Sequence, residues 1–233
     1  LNAAGRLGSG LLGVQLLLTS SQALAQRIAR KLDEENRNRQ TIENEILVQA
    51  LEKVEQEYVA ERDYSIVLSD SRWHPGVIGI VASKIVELYH RPAILIAMGE
   101  QVGKGSARSI RNLHMCDALR QCQEHLVSFG GHRFAAGLTV EAAKFEFYRQ
   151  TFEQVCKDCL VQEDLRPVVR ADAEISFDQI SRQLIEQLEL LAPFGNANPT
   201  PTFATMGVSV SGAVQLLRGA HLKFAVRQGK KVL

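Results

Sequence analysis

The stretch YSIVLSDSRWHPGVIGIVASKIVELYHRPAILIA, residues 64–97, decides the fold class. It begins with a short apolar run, Tyr64–Leu68, which predicts a buried strand, and it ends with a second such run, Pro92–Ala97. Between them a Trp-His-Pro-Gly turn leads into Val77–Tyr89, whose many apolar residues predict a helix. Because strand, helix and strand follow one another with short links, the stretch predicts a right-handed parallel crossover in an α/β domain.

The alternation continues after this stretch. Lys104–Ile110 predicts a strand, Met115–Val127 a helix and Ala136–Val140 a further strand, and a helix from Glu141 to about Cys159 closes the series. Together these elements predict an α/β domain with a mixed sheet over residues 61–161.

Upstream, residues 21–60 contain no Gly or Pro, and their apolar residues recur every four positions. This spacing predicts a helix of about 38 residues, roughly 57 Å long. Its middle, residues 33–40, is polar on every face. We therefore expect a connector helix over residues 19–60 whose two ends pack on different bodies. Two shorter helices with a turn near Asn36–Asn38 fit the sequence equally well.

Downstream, Leu165-Arg166-Pro167 marks a domain boundary. The residues beyond it predict one short helix, Ser181–Leu190, a long turn over 193–199, and strands at 168–175, 202–204, 208–210, 214–216 and 222–226. Short strands separated by turn residues are typical of a small β-barrel. We expect a barrel over residues 166–233 that is incomplete at its C-terminal end.

Composition narrows the classes of protein. With 233 residues, 45% hydrophobic and 23% charged, the chain can build a core, which excludes general disorder. A net charge of +1 gives no global argument for nucleic acid, but the last third is basic through Arg218, Lys223, Arg227, Lys230 and Lys231. No apolar run reaches the roughly 18 residues of a membrane span, and four cysteines make no disulfide framework. We expect a cytoplasmic protein that does not bind membranes, and a fragment, because the chain begins at Leu1 rather than Met.

Two glycine-bearing segments are candidates for chemistry. The first is GKGSARS, residues 103–109. Its glycines let backbone N–H groups approach an anion, and Ser106, Arg108 and Ser109 supply further donors. An ordinary hairpin with a surface arginine explains the segment equally well.

The second segment is FGGHRFAAG, residues 129–137, which we expect to join a helix to a strand. Its small residues leave a cleft for a substrate backbone, and His132 can donate to a phosphate or transfer a proton. The alternative is a Gly-Gly helix C-cap followed by a solvated histidine. Two such segments on neighbouring strands favour a phosphate cleft.

Other patterns are weaker. The turn Trp73–Gly76 precedes a helix, so an anion can bind at that helix N-terminus, although packing of Trp73 and His74 explains the turn better. Cys156 and Cys159 lack a second pair at zinc-site spacing, and no cluster of Asp and His is present. The sequence predicts no metal site.

Five motifs occur in a familiar order: LNAAGRLG (1–8), WHPGVIGIVAS (73–83), GSARS (105–109), FGGH (129–132) and PFGN (193–196). In this order the chain resembles the RecJ family of bacterial 5′→3′ exonucleases specific for single-stranded DNA, in the DHH phosphoesterase superfamily. The resemblance implies the tail of a catalytic DHH domain at 1–18, the connector helix at 19–60, a DHH-associated domain at 61–161, and an OB-fold domain, truncated, at 166–233.

The resemblance also implies roles for single residues. Arg6 resembles a contact to the DNA 5′ end, with Ser106 and Arg108 as its partners in a phosphate pocket. Gly130, Gly131 and His132 resemble a motif that grips the strand and faces the metals, which places His132 at the scissile phosphate. Arg133-Phe134 departs from the smaller residues expected there. The family's Mn²⁺ or Mg²⁺ ligands belong to the DHH domain, upstream of Leu1.

The function implied is the substrate-binding half of a metal-dependent exonuclease for single-stranded DNA that acts in DNA repair and recombination. We expect the chain alone to be inactive as a nuclease, and single-strand-binding protein or a helicase to be its protein partners. Two alternatives remain: a nucleic-acid-binding module without chemistry, and a DHH phosphoesterase for short oligonucleotides or cyclic dinucleotides. The barrel-like tail after Arg166 argues against the second.

Overall fold

The computed structural model describes residues 2–217 and 221–233. Leu1, the first residue of the motif at 1–8, and Arg218, one of the basic residues of the last third, lie outside the described residues. The chain divides into two compact units, which we call the α/β unit (up to Pro167) and the β unit (Val168–Leu233).

The α/β unit begins with two short helices, α1 (Ala4–Leu7) and α2 (Leu11–Leu18), followed by the long helix α3 (Gln22–Glu57). Helix α3 is continuous over 36 residues, so the long-helix prediction is confirmed and the alternative with a turn near Asn36–Asn38 is wrong. Ser21 caps its start by accepting a hydrogen bond from the Leu24 amide.

The two ends of α3 pack on different clusters of residues, and both clusters lie in the α/β unit. Near the N-terminal end, Ile28 and Leu32 form a small cluster with Ala4 of α1. Near the C-terminal end, Ile46, Ala50 and Val54 belong to the core beside the sheet. At both ends of the helix, apolar side chains spaced four residues apart are buried. Their burial stabilises one unbroken helix through the polar residues between the two ends.

The sheet has five strands in the order β1-β2-β3-β5-β4: β1 (Ile66–Asp70), β2 (Ala93–Met98), β3 (Val102–Arg108), β4 (Leu126–Gly131) and β5 (Ala135–Glu141). Strands β1 and β2 are parallel and joined by α4 (Ile78–Tyr89), whereas the other pairs are antiparallel. The predicted mixed sheet is confirmed. Helix α4 packs on one face, and α5 (Met115–Gln121) and α6 (Phe145–Cys159) pack on the other.

One helix prediction is wrong in its second half. Helix α5 ends at Gln121, a 3₁₀ turn covers Gln123–His125, and strand β4 follows where we expected helix up to Val127. Leu126 and Phe129 pack against the core, whereas Ser128 faces outward. Side chains that point alternately inward and outward are typical of a strand, and the irregular spacing here reflects a β-bulge. The Gly-Gly pair therefore lies at the tip of a hairpin between β4 and β5, not at a helix C-cap.

The β unit contains β6 (Ala173–Glu174), α7 (Arg182–Glu189), β7 (Phe203–Ala204), β8 (Ser209–Leu217), β9 (His221–Gln228) and β10 (Lys231–Val232). Strands β8, β9 and β10 form an antiparallel sheet, and β6 and β7 form a separate parallel pair. Among the described residues these two sheets do not close into a barrel.

Two strand predictions in the β unit need correction. Residues 168–172 form no strand, because Val168 and Val169 have no neighbours to cover them and stay exposed. The predicted strands at 208–210 and 214–216 form one strand, Ser209–Leu217, since Gly212 adopts a φ of 78° and absorbs a register shift between Ser211 and Gln215.

Candidate nucleic-acid interface

Arg108, at the end of β3, is the centre of the candidate site. Its Nε donates to Ser83 Oγ of α4 at 3.2 Å, and its Nη1 donates to Ser106 Oγ at 3.0 Å and to the Ala107 carbonyl at 2.8 Å. The alternation of β3 turns Ser106 and Arg108 toward α4, whereas Ala107 is buried on the opposite face. Within the described residues no acidic side chain pairs with Arg108, and no partner is found for its Nη2.

The electrostatics of this guanidinium favour an anion. Burial lowers the pKa of Arg108, and the nearby positive charge of Arg6 lowers it further. Both groups nevertheless remain charged, because an arginine is not deprotonated in proteins. The positive charge of the exposed Arg6 acts on the half-buried Arg108, and a bound anion would offset both charges.

Two glycines bring the three elements of this pocket together. A Cβ on Gly79 of α4 would lie 2.8 Å from both Arg108 Nη2 and Ser106 Oγ. A Cβ on Gly76 would lie 1.9 Å from the Arg6 carbonyl oxygen, so the turn before α4 can touch α1 only with glycine there. The two glycines thus allow α4 to lie close to the Ser106 and Arg108 side chains and its preceding turn to lie close to the backbone of Arg6.

The turn that precedes α4 is fixed by internal bonds. His74 Nδ1 accepts from the Gly76 amide at 3.1 Å, and the buried Trp73 donates from Nε1 to Gln49 of α3 at 3.0 Å. These contacts show both side chains packing the turn.

The β4–β5 hairpin lies beside this pocket in the sheet. Gly130 pairs with Gly137, which in turn pairs with Ser106 of β3. Gly131 has a φ of 154°, and a Cβ there would lie 2.4 Å from the Ala135 carbonyl oxygen, so only glycine fits the tip. The His132 amide donates to Ala135 O at 2.8 Å, and its side chain is exposed, with no hydrogen-bond partner in the described part of the chain.

Other predicted residues lie apart from this constellation. Ser109 donates from Oγ to the Leu113 carbonyl at 2.9 Å, so its hydroxyl fixes the loop after β3 instead of facing Arg108. Arg133 donates to the Arg111 carbonyl at 3.1 Å and lies over the exposed Phe134 ring at 5.7 Å. These larger residues therefore occupy the outer edge of the hairpin.

Strands β3, β5 and β4 leave part of one sheet face open, because α4 packs mainly on β2 and β3. A groove of about 390 Å³ lies there, and its polar lining includes Lys104, Ser106, Ser128 and Thr139. The residues predicted for the site did not include Gly79, Ser83, Lys104, Ser128 and Thr139. The period-two spacing of Lys104, Ser106 and Arg108 was the available signal.

Metal ligands and reactive thiols are not part of this site. Among residues 2–217 and 221–233 no group of His, Cys, Asp and Glu is arranged to hold a metal ion. The described residues therefore do not fit the Mn²⁺ or Mg²⁺ that the resemblance implies. All four cysteines are free thiols, and burial raises the pKa of Cys122 to about 12.

In the β unit, the described basic residues of the prediction lie on β9 (Lys223 and Arg227), in the turn after it (Lys230) and on β10 (Lys231). Lys223 and Arg227 share one face of β9, where Arg227 donates to Ser211 Oγ at 3.2 Å. Lys231 donates to the Phe177 carbonyl at 2.6 Å. Three phenylalanines of this unit could stack on bases: Phe194 and Phe203 are partly buried, and Phe224 is exposed.

Comparison with known families matches both units. Residues 45–158 match the DHHA1 domain, and residues 171–233 match the RecJ OB domain. The chain belongs to the RecJ family. The predicted fold class is confirmed: an α/β DHH-associated domain with a mixed sheet, a long helix before it, and an OB domain after it.

Individual RecJ proteins are similar over most of this chain. The single-stranded-DNA-specific exonuclease RecJ of Bacillus subtilis is 36% identical over 203 residues, which are 86% of this chain and 26% of the relative. The RecJ of Thermus thermophilus is 36% identical over 233 residues, 100% of this chain and 33% of the relative. The chain thus spans about a quarter to a third of the length of these two relatives.

Solved RecJ structures share the fold. The crystal structure of Thermus thermophilus RecJ in complex with Mn²⁺ matches with a TM-score of 0.84 and 33% identity, over 99% of this chain and 33% of that one. A Mg²⁺ complex of RecJ from the same organism matches with a TM-score of 0.78 and 29% identity, over 99% of this chain and 41% of that one.

Proposed function

We propose that this chain is the substrate-binding part of a metal-dependent 5′→3′ exonuclease for single-stranded DNA, and that its pocket of Arg6, Ser106 and Arg108 binds the 5′-terminal phosphate. One observation carries the proposal: a half-buried guanidinium without an acidic partner among the described residues lies beside a second arginine. Such a pair needs an anion, and a terminal phosphate carries more negative charge than an internal phosphodiester.

The hydrogen-bonding pattern suits a phosphate. Nη2 of Arg108 points at Gly79 and remains available as a donor. The Ser106 hydroxyl accepts from Arg108, so its own proton is available for a phosphate oxygen. Ser83 accepts a hydrogen bond from Nε of Arg108, and this bond fixes the orientation of the guanidinium before a ligand binds.

The remaining residues of the interface would hold the strand near the scissile bond. The side-chain-free edge of Gly130 and Gly131 admits a nucleic-acid backbone close to the hairpin, and the exposed His132 at its tip can donate to the scissile phosphate. Ser109 belongs to this proposal as support for the loop. The chain's share of catalysis would be positioning.

Mn²⁺ or Mg²⁺ would supply the activated water in the intact protein, held by a DHH domain to which we assign residues 1–18 as a tail. The matched RecJ structures contain these two metals. The described residues of this chain contain no group of His, Cys, Asp and Glu that would hold either ion.

The β unit would add affinity for single strands. Lys223 and Arg227 on one face of β9 offer phosphate contacts, with modest stacking from Phe224. The wider role would be DNA repair and recombination in the cytoplasm, with single-strand-binding protein or a helicase as partner. No helix among the described residues has the length and hydropathy to cross a bilayer.

The experiment compares strands with and without a 5′-phosphate. In the full-length protein, Arg108→Ala should remove most of the preference for phosphorylated ends, because one lost charge-assisted contact costs about 1.5–3 kcal/mol, or roughly ten- to a hundred-fold. His132→Ala should instead slow cleavage of both kinds of end.

The matched control is Arg120→Ala, which removes an arginine on α5 that pairs with Asp117. It should leave the preference unchanged. Equal preference in the wild type and in a folded Arg108→Ala variant would contradict the proposal.

A further inference from the structure

Strand β1 lies at one edge of the five-stranded sheet, with β2 as its neighbour. The Ile66 amide donates to the Pro92 carbonyl at 2.9 Å, so the backbone groups of Ile66 point toward β2. Backbone groups alternate in direction along a strand, so those of Ser65, Val67 and Ser69 point away from the sheet. We call these three residues the free edge of β1.

Within the described residues, only the start of the free edge is bonded. The amide and the hydroxyl of Ser65 donate to the Glu153 carboxylate of α6, at 2.9 and 2.6 Å. The described structure shows no partner for the backbone N–H and C=O groups of Val67 and Ser69. Val67 is nevertheless only 6% exposed. Because buried backbone groups without a partner are costly, this edge favours a ligand that supplies both donors and acceptors.

Helices on both faces of the sheet explain why an edge strand is buried. Ile66 and Leu68 belong to the core beside α3, and Val67 belongs to the core beside α6. A cavity of about 180 Å³ lies along the edge, lined by β1, by α6 and by the end of α3 with the loop that follows. The free edge is therefore recessed between two helices.

The recess decides what can pair with β1. One extended segment can enter between the helices, because it carries no flanking structure of its own. In a second copy of this chain, β1 would be recessed in the same way, so the helices of the two copies would meet before their edges could pair. An isolated extended peptide fits the free edge better than a second copy does.

An ion pair at the outer side of the cavity indicates the charge of such a peptide. Arg149 of α6 lies 2.7 Å from Glu57 of α3, and both side chains are partly exposed. Arg149 also lies 3.2 Å from Glu146, whereas the described residues give the Glu57 carboxylate no second cation. A peptide that separates the pair would leave Arg149 with an acid and Glu57 alone, so a basic side chain on the peptide would restore the balance.

The other charged residues that line the cavity are already paired. Asp63 lies 2.5 Å from Arg62, and Glu153 lies 3.3 Å from Lys157 of α6. Glu57 is therefore the charged group that a peptide in this cavity would engage.

We propose that the free edge of β1 binds an extended basic segment of a partner protein as an added strand. Its main chain pairs with Val67 and Ser69, and a lysine or arginine side chain replaces Arg149 beside Glu57. Addition of a strand to an open sheet edge is a recurrent mode of peptide recognition. The proposal is independent of the proposed function, because β2 separates β1 from β3, which carries Arg108.

Binding of a blocked peptide of sequence TVKVT to the ¹⁵N-labelled chain tests the proposal. At millimolar peptide, the amide resonances of Val67 and Ser69 should shift, and their hydrogen exchange should slow as the new bonds form. A TVEVT peptide should bind about fivefold more weakly, because its acid faces Glu57.

Two variants locate the charge preference. Glu57→Gln should bind both peptides equally, whereas Glu146→Gln, the matched control, removes the other acid beside Arg149 and should keep the preference for the lysine peptide. Unchanged Val67 and Ser69 resonances would refute the proposal, as would shifts confined to β4, the strand at the other edge of the sheet. Equal or tighter binding of TVEVT to the wild type would overturn the assignment of a basic partner.

Discussion

Two arginines of the α/β unit differ in how their N–H donors are used within the protein. The buried Arg91 donates to the carbonyls of Ala60, Asp63 and Leu165 at 2.8–3.1 Å, so its guanidinium ties the start of β1 to the end of the unit. Arg108 is only half-buried and keeps Nη2 available. Both arginines lack acidic partners among the described residues, and only Arg108 has a nitrogen for which the described residues show no acceptor.

Asp70 provides a residue-scale prediction about pH. At the end of β1 it accepts from the Arg72 side chain and lies 3.5 Å from Lys53 of α3. The hydrogen bonds from Arg72 lower the pKa of Asp70 well below its usual value. Asp70→Asn should therefore lower the free energy of unfolding at pH 7 by about 2 kcal/mol.

The difference should depend on pH in one direction. A lowered pKa stabilises the fold above the unfolded value of about 3.9, and this stabilisation is lost as the pH falls toward the folded value. Urea unfolding at pH 7 and pH 3 measures the difference in free energy of unfolding between the wild type and Asp70→Asn. The control is Glu34→Gln, at an exposed position on α3. A constant difference between wild type and Asp70→Asn across this range would contradict the assignment.

At the scale of elements, the contact between α4 and β3 determines whether the phosphate pocket exists. Helix α4 lies against β3 at Gly79, where the neighbouring atoms are the ends of the Arg108 and Ser106 side chains. Both are side-chain atoms rather than backbone, so a methyl group there would displace these side chains without separating helix and sheet.

Gly79→Ala should therefore separate stability from binding. Alanine is favoured over glycine inside a helix by about 1 kcal/mol, so the melting temperature should stay the same or rise. Affinity for a 5′-phosphorylated mononucleotide should fall about tenfold, because Nη2 and Ser106 Oγ must move. Calorimetry measures the melting temperature, and a binding titration on the same sample measures the affinity for the mononucleotide. Ser83→Ala is the comparison variant, since it frees the guanidinium without adding volume.

The elements also show what the sequence could and could not predict. Local patterns were sufficient for α3, α4, β2, β3 and β5, because each has a clear period and turn residues at its ends. They failed at β4, where a bulge and a short preceding helix obscure the alternation. The motifs gave Arg6, Ser106 and Arg108, but Lys104 and Ser128 emerge only from cross-strand register, which depends on residues far apart in the chain.

At the scale of the whole molecule, the two units differ in how much they bury. Of the buried apolar side chains that the structure describes, only Phe177 belongs to the β unit, and all the others lie in the α/β unit. Since burial of apolar surface is the main favourable contribution to folding, the β unit has the smaller stabilisation.

Hydrogen exchange of this chain should report that difference. Amides of β8 and β9 should exchange faster than those of β2 and β3, because local opening costs less where few apolar contacts must be broken. Exchange followed by mass spectrometry at neutral pH measures both sets in one experiment, and equal protection of the two sheets would contradict the expectation.

The continuous α3 has a consequence for how the chain tolerates changes of length. Its N-terminal end packs against α1, which carries Arg6, and its C-terminal end packs against the core that carries α4. One residue inserted in the polar middle would turn one end relative to the other by about 100°. Seven inserted residues would restore the direction to within about 20°, although the end would then move about 10 Å away. The position of Arg6 relative to Arg108 therefore depends on helical phase as well as on residue identity.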